Sequence, residues 1–113
     1  MNSGLFVNDE ETCDIFLKAS REAGEHFWRL PCTDDYAELI KSSIADIMNT
    51  GVDRYGGAIT AAMFLKVFAG ETPWVHLDIA GQAWIDDSRS YIAKGPSGVA
   101  VRSILEWVRA LAA

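Results

Sequence analysis

"GGAITAAMFLKVFAG" (Gly56–Gly70), followed closely by "PWVHLDIAG" (Pro73–Gly81), decides the fold. No helix breaker falls between Gly57 and Gly70, so the first stretch is expected to be a helix of about residues 57–68. Ala58, Ile59, Ala61, Ala62, Met63, Phe64, Leu65, Val67 and Phe68 leave it almost no polar face. A helix that is apolar nearly all round is buried on most sides, inside a larger body or at an interface. Its small residues Gly56, Gly57, Ala58, Ala61 and Ala62 would let another backbone approach closely. The second stretch is expected to be a strand with one more apolar face than a surface strand needs. A buried helix beside a lone buried strand points to a sheet whose other strands lie elsewhere. The expected class is therefore α/β, helix-rich with two or three short strands, and incomplete.

Towards the N-terminus, "GLFV" (Gly4–Val7) is a short apolar run. Asn8 followed by Glu11 resembles a capping box, with acids filling the first turn. Cys13, Phe16, Leu17, Ser20 and Ala23 recur at helical spacing and Gly24 is a stop, giving a helix over 9–23. Phe27, Trp28 and Leu30 form an apolar patch ended by Pro31. A second helix is expected from "TDDYAELIK", capped by Thr33 or Asp34, with Tyr36, Leu39 and Ile40 on its buried face. "SSIADIMNTG" (Ser42–Gly51) is ambiguous. Towards the C-terminus, "QAWIDDSRSYIAKGPSG" (Gln82–Gly98) is expected to be a polar loop, long enough to suggest a functional or interface role. The final helix should bury Val101, Ile104, Leu105, Val108 and Leu111, with Ser97 as its cap.

The 113 residues amount to one domain at most. Ten basic and 16 acidic residues give a net charge of −6, with no Lys/Arg cluster, which argues against direct nucleic-acid binding. No run approaches the ~20 apolar residues of a membrane span. The start of the chain has no signal-peptide pattern, so a cytoplasmic protein is expected. Cys13 and Cys32 are isolated, form no zinc motif, and read as buried free thiols.

His76 and Asp78 share one face of the expected strand. An imidazole and a carboxylate so placed could hold a metal or exchange protons, but no third ligand is near, and His26 is the only other histidine. Gly56-Gly57 lacks the Lys-Ser/Thr of a P-loop and the G-x-G-x-x-G spacing, so close helix packing explains it better. No G-x-S-x-G motif occurs. Asp34-Asp35 and Asp86-Asp87 are adjacent pairs, best read as solvated, and Asp46 as a cap or turn residue. No complete catalytic or metal-binding constellation is present.

Six blocks in order, "GLFVND", "WRLP", "IADIMNTG", "RYGGAITAAMFLKVF", "PWVHLDIAG" and "GPSGVAVRSILEW", resemble the leucyl aminopeptidase (cytosol aminopeptidase) family. The resemblance implies that residues 1–113 are the C-terminal portion of a catalytic domain that is three-layered α/β/α when complete. Enzymes of the family remove N-terminal residues from peptides. Two divalent cations, zinc or manganese, activate a bridging water and polarise the scissile carbonyl. The family's Asn-Thr-Asp-Ala-Glu-Gly-Arg motif is absent here, so this segment is expected to bind no cation, to carry no catalytic residue and to be inactive alone. The resemblance assigns lining roles instead. Ala80 and Ala83 would wall the pocket for the substrate's first side chain, and Thr50 would lie near the pocket for the next residue. The expected partners are a peptide substrate in the complete enzyme and either further copies or the missing N-terminal part. The rival is a non-catalytic assembly or binding module that keeps the family's packing surfaces. A third reading, a transcriptional or recombination accessory protein, is disfavoured by the charge.

Overall fold

The computed structural model describes residues 2–51 and 56–113. Its centre is strand β1 (Ser3–Val7), the middle of a three-stranded sheet. On one side β1 pairs in parallel with β2 (Phe27–Arg29), Ser3 opposite Phe27. On the other it pairs antiparallel with β3 (Val75–Asp78), Leu5 opposite Leu77 and Val7 opposite Val75. Helix α1 (Glu10–Glu22) makes the crossover that a parallel pair requires. Leu5 and Val7 lie on one face of β1 and Phe6 on the other, and all three are buried, as in a central α/β strand.

The start of α1 is set one residue later than the capping pattern suggests. Asp9, extended at φ −144°, accepts from the Thr12 amide at 2.8 Å and the Thr12 hydroxyl at 2.7 Å. Glu10 and Glu11 complement the dipole behind it. Asn8 is not the cap because its amide is used elsewhere. Its Nδ2 donates to the Thr72 carbonyl and its Oδ1 accepts from the Trp74 amide, which ties the end of β1 to the start of β3.

The expected stripe of α1 is largely the observed one, with Cys13, Phe16, Ala19 and Ser20 buried. Phe16 meets Phe27 edge-on at 5.2 Å and Trp107 at 5.5 Å. These rings join Leu5, Val7, Cys13 and Ala100 in the main core.

Trp107 belongs to α3 (Val101–Ala112), whose seating differs from expectation. Ser103 is fully buried, whereas Val101, Ile104, Leu105, Val108 and Leu111 are exposed. Ser97 does not cap this helix; its hydroxyl accepts from the Val99 amide instead. The cap comes from far away in sequence. Glu25, itself only 8% exposed, accepts from the Ala100 amide with Oε1 at 3.0 Å, and with Oε2 from the Ser103 amide at 3.1 Å and the Ser103 hydroxyl. A carboxylate at a helix N-terminus satisfies orphan amides and opposes the dipole. That interaction fixes which face of α3 meets α1.

Two other expectations change. The second helix is a 3₁₀ helix (Asp34–Ile40), in which only Ile40 of the proposed face is buried, and Thr33 makes no side-chain cap. The ambiguous stretch Ser42–Gly51 forms bends. The expected loop 82–98 contains a small two-stranded sheet, β4 (Trp84–Ile85) with β5 (Gly95–Pro96).

Helix α2 (Gly57–Ala69) is present as expected, but only Thr60, Ala62 and Met63 are buried on it. A side chain at Gly57 would meet no described atom of this chain within 4 Å. Gly56 is explained by its backbone, which is left-handed at φ +68°. α2 is anchored to the segment after β2, where Lys66 Nζ donates to the Cys32 carbonyl and Met63 Sδ lies 3.6 Å from the Cys32 thiol. Both cysteines are free, Cys13 buried and Cys32 half-buried.

The chain is spread more widely than a compact domain. Its radius of gyration is 15.7 Å, against about 13 Å for a compact chain of this length. Its accessible surface is 7773 Å², against roughly 6,100 Å². The excess matches the exposed apolar residues of α2 and α3, among them Phe68 at 72% and Val101 at 66%.

Glu25→Ala should destabilise by about 1–3 kcal/mol, because it strands the buried Ala100 and Ser103 donors. Glu25→Gln should fall between, while Glu22→Ala, on the exposed end of α1, should leave the urea midpoint unchanged. Equal midpoints for Glu25→Ala and Glu22→Ala would show that the carboxylate does not hold α3.

Candidate functional site

The C-terminal end of β3 turns sharply and carries two of the three candidate lining residues. Asp78 Oδ1 accepts from the Ala80 amide at 3.1 Å. The Ile79 carbonyl accepts from both the Gln82 and Ala83 amides at 2.9 Å, closing the turn. The Ala83 carbonyl then accepts from the Ser97 amide at 2.9 Å, which ties the turn to β5. Ala80 is exposed at the sheet end and Ala83 is half-buried. Thr50 is exposed on another segment. Its neighbour Gly51 lies against α2, where a Cβ would come 3.0 Å from Thr60 Cγ2. The fold thus brings Ala80 and Ala83 into one turn and attaches Thr50 to α2. Two methyls and a hydroxyl can shape a pocket, but they supply no acid, base or metal ligand.

His76 and Asp78 sit on β3 just before this turn. The His76 ring stacks on Trp74 at 5.8 Å and 10°, and lies 5.7 Å from the Phe6 ring. Burial among these rings pushes its pKa below the usual histidine value, with Asp78 opposing weakly. Among the described residues no three His, Cys, Asp or Glu side chains come together as a metal site. No step through cations is assigned to the described residues. Burial likewise pushes both cysteine thiols up, away from the reactive thiolate.

Two features had no sequence signal. At the C-terminal ends of β1 and β2, Arg29 makes a bidentate pair with Glu10, Nη1 to Oε2 at 2.7 Å, on the wall of a 390 Å³ cavity that Lys66 also lines. At the opposite end of the sheet, behind the Ala83 turn, lies a 230 Å³ cavity lined by His26, Gln82, Arg89, Tyr91 and Arg102 among others. Its residues come from three separated segments, which no spacing rule could have joined.

Comparison with known proteins places this geometry. The model of the cytosol aminopeptidase family, catalytic domain, matches residues 1–105. A probable cytosol aminopeptidase of Koribacter versatilis is 63% identical over 109 residues, covering 96% of this chain and 21% of that protein. The structure of the bottromycin maturation enzyme BotP in complex with Mn superposes with a TM-score of 0.91 at 38% identity, covering 99% of this chain and 25% of that one. A mutant of tomato leucine aminopeptidase superposes with a TM-score of 0.84 at 39% identity, covering 94% and 20%. The chain thus spans about a fifth of the length of the curated relatives it matches.

The His76 environment has a pH consequence. Its native pKa lies below the unfolded value of about 6.5, so the unfolded chain takes up the proton first. The contribution of neutral His76 is complete above that value and is lost as pH falls through it towards the native pKa. Urea midpoints measured from pH 8 to pH 5 should fall, and the slope should flatten in His76→Gln. An unchanged slope in the variant would remove His76 as the source.

Proposed function

The chain belongs to the cytosol aminopeptidase family, and from that premise we propose that it forms the C-terminal portion of a two-metal aminopeptidase's catalytic domain. The complete enzyme removes N-terminal residues from peptides in the cytoplasm. In it, Ala80 and Ala83 wall the pocket for the first side chain and Thr50 lies beside the next residue. The two divalent cations, zinc or manganese, and the catalytic groups belong to the rest of the domain, so this chain is inactive by itself. The observation that carries the reading is the match of nearly the whole chain at high identity. The turn at Ala80–Ala83 supports it, since it offers small exposed side chains at a sheet end. No described helix is long and apolar enough to cross a membrane, and neither a membrane nor a nucleic acid is a proposed partner. The partners are the rest of the catalytic domain, the peptide and further copies. Exposed apolar residues on α2 and α3 favour that association and also give weight to a second reading, an assembly module without catalysis.

Purified chain should not turn over leucyl-p-nitroanilide with added manganese or zinc. A hybrid joining it to the upstream part of the Koribacter versatilis relative should. Metal-dependent turnover by the chain alone would overturn its inactivity, and a folded but inert hybrid would favour the assembly module.

In the hybrid, Ala80→Phe should lower kcat/KM on a leucyl substrate by roughly tenfold or more, since each group that no longer fits is worth about 1–3 kcal/mol. An alanyl substrate should lose much less. Equal losses on both, accompanied by a lower melting temperature, would mark Ala80 as core, where overpacking costs about 1–3 kcal/mol.

A further inference from the structure

We propose that the cavity behind the Ala83 turn is a carboxylate-binding site, and that in the aminopeptidase it receives the carboxylate of an acidic N-terminal residue. The second half rests on the function proposed above. The cavity, of 230 Å³, lies between the Gly24–His26 corner, the segment 82–99 and the start of α3. Its volume suits one small group, not a second polypeptide.

The lining is rich in donors. Arg89 and Arg102 bring two guanidiniums, His26 an imidazole, Tyr91 a phenol and Ser97 a hydroxyl. Gln82 adds an amide nitrogen that is buried and has no hydrogen-bond partner. The single acid on the wall, Glu25, is already engaged. Its two oxygens accept from the Ala100 and Ser103 amides and the Ser103 hydroxyl. Arg102 forms a long ion pair with Glu25 at 3.9 Å, beyond hydrogen-bond distance, and is 69% exposed, so its N–H donors are not consumed by that carboxylate. Arg89 makes no ion pair among the described residues, although the protein carries a net charge of −6. One guanidinium without a carboxylate partner among the described residues, Arg89, and a second, Arg102, paired only at long range with Glu25, match a planar oxyanion that can accept two parallel N–H bonds.

The cavity is also built into the same frame as the proposed substrate pocket. Gln82 lies between Ala80 and Ala83 in the turn. Ser97, on the cavity wall, donates its amide to the Ala83 carbonyl. The Arg89 backbone bridges to Ile92, and Ser88 Oγ accepts from the Lys94 amide, so the backbone bearing the exposed Arg89 side chain is tied into a folded turn. Neither Ala80 nor Ala83 lines the cavity, but Gln82 between them does, so the proposed path of the first side chain runs from that turn towards the cavity. Glutamate would carry its carboxylate oxygens one bond beyond the reach of leucine.

Two measurements test the site separately from the enzyme. The 113-residue chain is titrated with sodium acetate and, as a neutral control, acetamide, following the Gln82 side-chain amide and the arginine Nε–H signals by NMR. Saturable shifts with acetate, absent with acetamide and lost in Arg89→Gln, are expected. Shifts that do not saturate, or that persist in Arg89→Gln, overturn the carboxylate site. In the hybrid enzyme, kcat/KM is measured on glutamyl-, glutaminyl- and leucyl-p-nitroanilide. The glutamyl-to-glutaminyl ratio should fall about tenfold or more in Arg89→Gln, the loss of a charge-assisted pair. A ratio within twofold of the parent, with leucyl turnover present, overturns the substrate assignment. Absence of leucyl turnover counts against the aminopeptidase reading itself, and the acetate titration then decides whether the carboxylate site stands.

Discussion

One carboxylate organises this protein. Glu25 ends the corner between α1 and β2, yet its oxygens bind donors 75 and 78 residues later. A helix packed through a narrow apolar face needs something to choose its rotation, and for α3 the apolar residues themselves point the wrong way for that task. The Glu25 interaction makes the choice. It buries Ser103, directs Trp107 onto Phe16, and leaves the Val101–Leu111 stripe outward. Because the segment 82–99 must return from β3 to that fixed point, the turn at Ala80–Ala83 inherits its position from the same carboxylate. That end of the sheet is thus held from behind by a cap.

The strongly periodic elements were legible in the sequence. α1 has a polar first turn, a regular stripe and a glycine stop; α2 has no breaker; β3 has β-branched and aromatic residues after a proline. What escaped was mostly non-local. β2 is three residues long and two of them are exposed, so it carries no alternating pattern and exists because β1 offers it an edge. Asn8 and Asp9 are both good caps, and only the approach of Thr72 and Trp74, more than sixty residues on, decides between them. The stripe on α3 was expected to be buried and is exposed within this chain, since periodicity reports which face is apolar and not what covers it. Of the candidate site, the sequence and its family resemblance located the Ala80–Ala83 turn. They could not show that Arg89, Arg102 and His26 converge behind it.

The exposed apolar faces and the excess surface describe one condition. Strands β2 and β3 pair with β1 along both of its edges, while α2 and α3 each keep an exposed apolar side. In a chain that matches a fifth of its relatives' length, such faces are what a larger domain presents at an internal boundary.

Ala100 carries a consequence for which sequences the fold can accept. It is the only non-glycine residue with positive φ among those described, at φ +76°, and it is nearly buried. A left-handed backbone with a Cβ costs on the order of 1–2 kcal/mol. Glycine would relieve that, but it would loosen the unfolded chain and remove a methyl from the core. Any larger side chain would meet both the backbone restriction and the packed interior. The position is therefore confined to the two smallest residues, so drift at the root of α3 is held almost still.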